Sequence, residues 1–259
     1  MEWILSYFPA YMLVFCRVTS FFLVAPIYSA RNVPTPFKLG LSFFIALIAF
    51  SGAGAQAGIV IDGLYILSIV REIMAGLCLG FIAYMFFTVV QIAGGFIDIQ
   101  MGFGIANVID PMTGMQSPVI GNLKFMIVTL LFLTLNGHLY LLEAIMRSYE
   151  WIPLSNDLFE RTYGGQISDF MFRTFSDVFA LSFQMAAPLV VAMFLTDVGL
   201  GLLARVAPQF NIFVIGLPLK LLLGLLMLVL LFPGFELLFT NIFADMMEEM
   251  KSFFGLFQS

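Results

Sequence analysis

The stretch from Met185 to Gly224, MAAPLVVAMFLTDVGLGLLARVAPQFNIFVIGLPLKLLLG, limits what this chain can fold into more than any other. It is almost wholly apolar, yet it carries Asp197, Arg205 and Lys220 where a lipid-facing helix could not keep them. An ionised side chain deep in a bilayer is costly, so such residues face a bundle interior, a partner or a water-filled path. Asp197, Gly201 and Arg205 recur every fourth residue, as do Gly216, Lys220 and Gly224, so each set shares one helical face that mixes charge with small residues. Small-residue faces admit close approach by another helix. Asp197 and Arg205 stand roughly 12 Å apart along a common helix at 1.5 Å per residue, too far for a direct pair. Pro208, Gln209 and Asn211 interrupt the pattern and predict a helical hairpin, which sets Asp197 and Lys220 at the same depth on antiparallel arms. The expected contact is an interhelical Asp197–Lys220 ion pair. The alternative is two unrelated charges, each met by another subunit.

The remainder of the chain matches this membrane character. Hydrophobic residues make up 61% of 259 positions and charged residues 10%, with a mean hydropathy of +1.04, more apolar sequence than a water-soluble core absorbs. A net charge of −5 argues against a nucleic-acid partner and against a polybasic lipid-binding tail. Cys16 and Cys78 both lie inside apolar runs and read as small buried hydrophobes, not as a disulfide framework. Met1 and Glu2 precede the first apolar run without a basic region, so no cleaved signal peptide is expected.

The fold class expected is all-α: a polytopic helical membrane domain over residues 1–259, with kinked or broken helices and helical hairpins. Six hydrophobic segments fall near Trp3–Ile27, Phe37–Ala53, Leu64–Ile92, Leu123–Ile145, Val178–Leu203 and Ile212–Phe232, the second of them short. Basic loop residues divide five against five between the two sides, so the positive-inside rule assigns no orientation. Arg17 lies mid-segment and requires a carboxylate or carbonyl, from Glu72, Asp98 or a neighbouring subunit, the alternative being a short snorkelling excursion. Pro26 ends the first segment, and Pro34 and Pro36 shape the connection that follows. Gly76 and Gly80, in G-x-x-x-G spacing, read as a close packing face. Pro188 predicts a kink or discontinuity in the fifth segment, and Pro208 the hairpin turn.

Residues 94–122, GGFIDIQMGFGIANVIDPMTGMQSPVIGN, form the least regular connection expected. Their glycines and prolines oppose a continuous helix, while their apolar content exceeds that of a solvated loop. Irregular apolar backbone is tolerated at a membrane only when buried in protein or lining a cavity. Met101, Met112 and Met115 add side chains that repack around varied shapes, as a deformable plug requires; a re-entrant loop completing the bundle is the alternative. The lone His138 lacks companions for a metal site and reads as a satisfied interfacial residue. Residues 147–173 are the most polar region and read as a solvent-exposed loop. Pro233-Gly234 predicts a break before an amphipathic tail over 235–257, whose Asp245, Glu248 and Glu249 oppose Phe239, Phe243, Met246, Met250 and Phe254.

Catalytic signatures are missing: no G-x-S-x-G, no H-E-x-x-H, no phosphate-binding loop and no ligand-spaced Cys/His cluster. Asp98, Asp110 and Asp197 could be imagined as an intramembrane aspartyl set, but Asp110 precedes Pro111 in a turn-like sequence that turn formation explains. Neither an enzyme nor a cofactor or metal requirement is expected. A secondary transporter of a small solute or ion, with Asp197 and Lys220 as coupling residues, competes with a subunit of a larger conduit. Inverted repeats would favour the transporter, and the sequence shows only a faint echo between Pro36-Phe-Lys38 and Pro218-Leu-Lys220.

The residues resemble a known family over nearly the whole chain. They are Arg17 with Pro26 and Pro34 to Lys38; Gln100-Met101-Gly102 leading to Asp110-Pro111 and Gln116-Ser117-Pro118; Asn136-Gly137-His138; and Ala187-Pro188 with Asp197, Gly199-Leu-Gly201, Arg205, Ala207-Pro208-Gln209, Asn211, Pro218 and Lys220. This set is similar to the R component of the bacterial flagellar export gate, the FliR family, and its injectisome relatives. The resemblance implies a type III export-gate subunit in the bacterial inner membrane at the flagellar basal body. It implies assembly with P and Q components into a helical, pore-containing complex, with the B component joining and the A component nearby. It implies passage of unfolded flagellar proteins, no nucleic acid and no cofactor. It also implies a loop that closes the pore at rest. Here that loop is Gly104 to Asn122, giving Met101, Gly104, Asp110, Pro111, Met112, Met115 and Pro118 as the plug or constriction. Arg17, Asp197, Arg205 and Lys220 become structural or intersubunit charges, and Gly76, Gly80, Gly201, Gly216 and Gly224 helix-packing positions.

Overall fold

A computed structural model describes residues 2–30, 32–52, 62–103, 118–154, 166–209 and 211–255. Over these residues the chain forms seven α-helices: α1 (Glu2–Val24), α2 (Thr35–Gly52), α3 (Gly63–Met101), α4 (Val119–Thr134), α5 (Gly137–Trp151), α6 (Gln166–Val206) and α7 (Ile212–Gly255). Four are long and apolar enough to cross a membrane, and α4 with α5 passes the same test as a pair bent by 69°. Helix α2 is apolar but shorter, as its sequence suggested.

Local chemistry explains the ends. The Asp62 carboxylate accepts the N–H groups of Leu64 and Tyr65 at 3.0 and 3.1 Å, an N-cap for α3. At the other end of α3, Gly102 has φ 90° and the Phe103 N–H reaches back to the Asp98 carbonyl at 3.0 Å, a closing turn that a glycine makes without steric cost. Pro36 sits in the first turn of α2, where its missing N–H has no helical partner to lose. After α1, Ala25 and Pro26 are buried, and Ile27 adopts φ 70°, rare for a β-branched residue, as the chain reverses. Pro208 lies in the turn between α6 and α7, so the expected hairpin break is there.

Several expectations are corrected. Helix α3 runs through Gly94-Gly95 to Met101, so the region taken as irregular from residue 94 is helical for its first eight residues. Tertiary contact overrides the glycine penalty: a Cβ on Gly94 would stand 2.1 Å from the Gly121 Cα, so the bare backbones of α3 and α4 touch. The fourth segment is two helices, because Asn136 takes a left-handed φ of 58° between them. Helix α6 continues across Pro188, which removes the discontinuity but not the kink expected there, and α7 continues across Pro218 and across Pro233, where a break was expected. Neighbouring helices and side chains can satisfy the one carbonyl that each proline frees. The polar 147–173 loop shrinks at both ends, since α5 continues to Trp151 and α6 begins at Gln166. Gly104, Asp110, Pro111, Met112 and Met115 lie outside the described residues.

The chain divides into two compact units. The first comprises residues 1–85, 132–174 and 245–259. Its centre is the α1 face of Ala10, Leu13, Val14, Arg17, Val18 and Phe21, all fully buried at helical spacing. Helix α3 crosses this face through Gly76, where a Cβ would meet the Arg17 carbonyl oxygen and Ser20 Oγ, and through Gly80, where it would stand 3.0 Å from the Phe21 carbonyl oxygen. The second unit comprises residues 86–131 and 175–244. Its core includes Val90, Ala93, Ile97 and Met101 of α3, Ala186, Leu189 and Met193 of α6, and Phe235 and Phe239 of α7.

Candidate functional site

Each unit holds one cluster of charge inside apolar surroundings. In the first, Arg17 and Glu72 are both fully buried and pair through Nε and Oε2 at 2.5 Å. The other Glu72 oxygen accepts from Arg71 Nη2 at 2.9 Å. Two guanidiniums thus share the Glu72 carboxylate. The last turn of α5 completes the shell of Arg17. Arg17 Nη1 donates to Ser148 Oγ at 3.0 Å and Nη2 to the Ile152 carbonyl at 2.8 Å, at the helix end where the backbone dipole is negative. The Tyr149 ring lies 4.1 Å from the Arg17 guanidinium carbon, a cation–π contact that a desolvated site strengthens. The Tyr149 hydroxyl donates to the Val14 carbonyl at 3.2 Å. The partner required for Arg17 is therefore Glu72 of its own chain. Ser148, the Ile152 carbonyl and Tyr149 complete the shell with no advance signal, since no sequence pattern predicts which helix end meets Arg17.

In the second unit, Lys220 Nζ lies 2.7 Å from Asp197 Oδ1 and 2.9 Å from Oδ2, the interhelical pair expected between α6 and α7. Gln100 Nε2 from α3 donates to Asp197 Oδ2 at 3.1 Å, a third arm that periodicity did not supply. Asp197 is 42% exposed and Lys220 19%, so the cluster opens at one side instead of being sealed like Arg17. Its packing is set by small residues in part only. A Cβ on Gly224 would stand 2.4 Å from Met101 Cε, and one on Gly216 would stand 3.2 Å from Leu200 Cδ1. Gly201 has open space beside it, since a Cβ there would meet no described atom within 4 Å. Arg205, one turn on, is exposed and makes no ion pair among the described residues. Both therefore face outward from the end of α6.

The two described ends of the expected plug are held by the same unit. Met101 is fully buried against Gly224. Pro118 precedes α4, whose first N–H groups, those of Ile120 and Gly121, donate to the Asp98 carboxylate of α3 at 3.1 to 3.3 Å. Asp98 thus caps another helix across space. His138 departs from the reading of a satisfied residue as far as the described residues go, since its Nδ1 is buried with no hydrogen-bond partner among them, while its carbonyl accepts from the Tyr28 hydroxyl at 3.1 Å. Burial pushes the Tyr28 phenol, in the connection after α1, up to about 12. Among the described residues no three His, Cys, Asp or Glu side chains are placed to hold a metal ion.

The sequence is similar to known proteins over nearly its whole length. The chain is 41% identical to the flagellar biosynthetic protein FliR of Bacillus subtilis, covering 99% of this chain and 98% of that one. It is 33% identical to the flagellar biosynthetic protein FliR of Escherichia coli over 96% of each chain. It is also 30% identical to the Yop proteins translocation protein T of Yersinia pestis, over 85% of this chain and 84% of that one. The match to the family described as bacterial export proteins, family 1, runs over residues 8–246, taking in both charge clusters and every helix core, and the chain belongs to that family.

Proposed function

We propose that this chain is a subunit of the flagellar type III protein export gate in the bacterial cytoplasmic membrane, forming part of the pore through which unfolded flagellar proteins pass. The observation that carries this reading is its end-to-end similarity to a flagellar biosynthetic protein. The physical character of the second unit supports it. The most apolar window of α7 has only 11% of its residues buried within the chain, and Val206, Val214, Leu222 and Val229 are each more than 60% exposed. So much apolar surface requires lipid or other subunits to cover it. The half-open Asp197–Lys220–Gln100 cluster and the outward Gly201 and Arg205 then present polar, close-approach positions to a neighbour. The P, Q and B components are the neighbours proposed, with the A component near by. The segment from Met101 to Pro118 is proposed to help close the pore, its ends anchored by Gly224 and Asp98.

Deleting the gene from its bacterium should abolish filaments and swimming without slowing growth, and the intact chain supplied in trans should restore both. Normal filaments in the deletion strain would refute the assignment. Removing residues 104–115 should leave the complex assembled while admitting small solutes to the cell; unchanged permeability in an assembled complex would refute the plug. Purification discriminates between this reading and the solute-transporter alternative: a gate subunit should come out with other apolar subunits, whereas a transporter would be active alone in liposomes.

A further inference from the structure

The second unit contains a cavity of about 570 Å³, within the ~300–1,000 Å³ range of small-ligand sites. Its walls are apolar, and two prolines contribute to them, Pro188 of α6 and Pro233 of α7. Gly234, which follows, leaves open space where a side chain would stand. Lys124 of α4 is the one charged residue on the wall. Its ammonium lies 5.4 Å from the Phe235 ring centroid. No carboxylate makes an ion pair with it among the described residues, and Asp98, the nearby acid, already accepts the N–H groups of Ile120 and Gly121.

We propose that this cavity holds one acyl chain of an anionic phospholipid, with the lipid phosphate seated on the Lys124 ammonium. Apart from Lys124 the wall supplies no polar side chain to orient a sugar, nucleotide or amino acid, but it suits a hydrocarbon tail. A partly buried cation whose nearby acid, Asp98, already accepts two backbone N–H groups favours a ligand that brings a further anion, and basic pockets between membrane helices bind anionic headgroups. A partner helix is disfavoured by size. A helix about 10 Å across with a 5.4 Å pitch fills this volume with roughly one turn, whereas a flexible tail can thread past Pro233 and Gly234. This inference rests on the cavity and on Lys124, not on the export reading.

The test uses the full chain, purified with its membrane partners and analysed by native mass spectrometry. Palmitoyl-oleoyl phosphatidylglycerol is compared with phosphatidylcholine of the same tails. One phosphatidylglycerol adduct should be retained about fivefold over phosphatidylcholine, the preference one basic residue confers. Lys124→Met should erase that preference, and Gly234→Leu, which fills the cavity, should remove the adduct. Equal retention of the two lipids, or a preference unchanged by Lys124→Met, would overturn the proposal. A photoreactive residue at Leu238, on the wall, gives an independent reading in an otherwise unaltered chain. Crosslinking to lipid supports the proposal; crosslinking only to another polypeptide assigns the cavity to a protein partner and sinks it.

Discussion

Removing the Glu72 side chain tests the charge logic of the first unit directly. Glu72 is fully buried and neutralises Arg17 on one oxygen while bonding Arg71 on the other, so Glu72→Ala takes from Arg17 the carboxylate it pairs with. Breaking a buried pair by deleting one partner costs about 3–5 kcal/mol. Polar contacts between membrane helices can contribute as little as about 0.6–2 kcal/mol, because the unfolded chain in the membrane also finds partners. The upper range is expected here, since Arg17 is sealed and its remaining contacts, Ser148, the Ile152 carbonyl and the Tyr149 ring, carry no full negative charge. At about 2–4 °C per kcal/mol for a chain of this size, the melting midpoint should fall by roughly 10 °C. Cys16 and Cys78 are free and half-buried, one beside Arg17 and one on α3, so a thiol-reactive dye added to the purified protein reports the loss of this packing during a thermal ramp. Glu72→Gln, which keeps an acceptor oxygen, should lose about half as much. In a double-mutant cycle with Arg17→Met the two changes should couple by more than about 1 kcal/mol. Additivity within about 0.5 kcal/mol would mean that Glu72 does not hold Arg17, and the reasoning would fail.

Other outcomes follow from the same contacts. Gly76→Ala should destabilise by about 1–3 kcal/mol in that thermal assay, because its Cβ would press on the Arg17 backbone, whereas Gly201→Ala should be neutral or gain up to about 1 kcal/mol, and any loss of export from it would report a neighbouring subunit. Asp98→Ala should cost about 1 kcal/mol by uncapping α4, visible as faster amide exchange at Ile120 and Gly121. Asp197→Ala should cost less than about 1 kcal/mol of chain stability given its exposure yet reduce the yield of assembled complex, with the charge swap Asp197→Lys plus Lys220→Asp recovering it. Tyr28 remains protonated in the fold after its unfolded counterpart ionises near pH 10, so its share of stability is complete below pH 10 and lost as pH rises toward 12; unfolding measured across that window should become less pH-dependent in Tyr28→Phe.

Periodicity and cost together made the membrane class, the α6–α7 hairpin and its ion pair legible in advance. Asp197 and Lys220 lie on short-range patterns around an obvious proline turn, and a charge that lipid cannot hold has few places to go. The Gly76 and Gly80 contact was legible for the same reason, being a spacing on one helix. Tertiary structure alone decided the rest. That Glu72, and not Asp98, meets Arg17 depends on how α1 lies across α3. That Gly94 stays helical depends on Gly121, which is far away in the sequence but touches it in space. That Asp98 caps α4 and Gln100 reaches Asp197 depends on one helix presenting two of its faces to different neighbours. A sequence displays the cost of each buried charge and each missing side chain, but the partner that offsets that cost is chosen by helix packing, which local pattern does not encode.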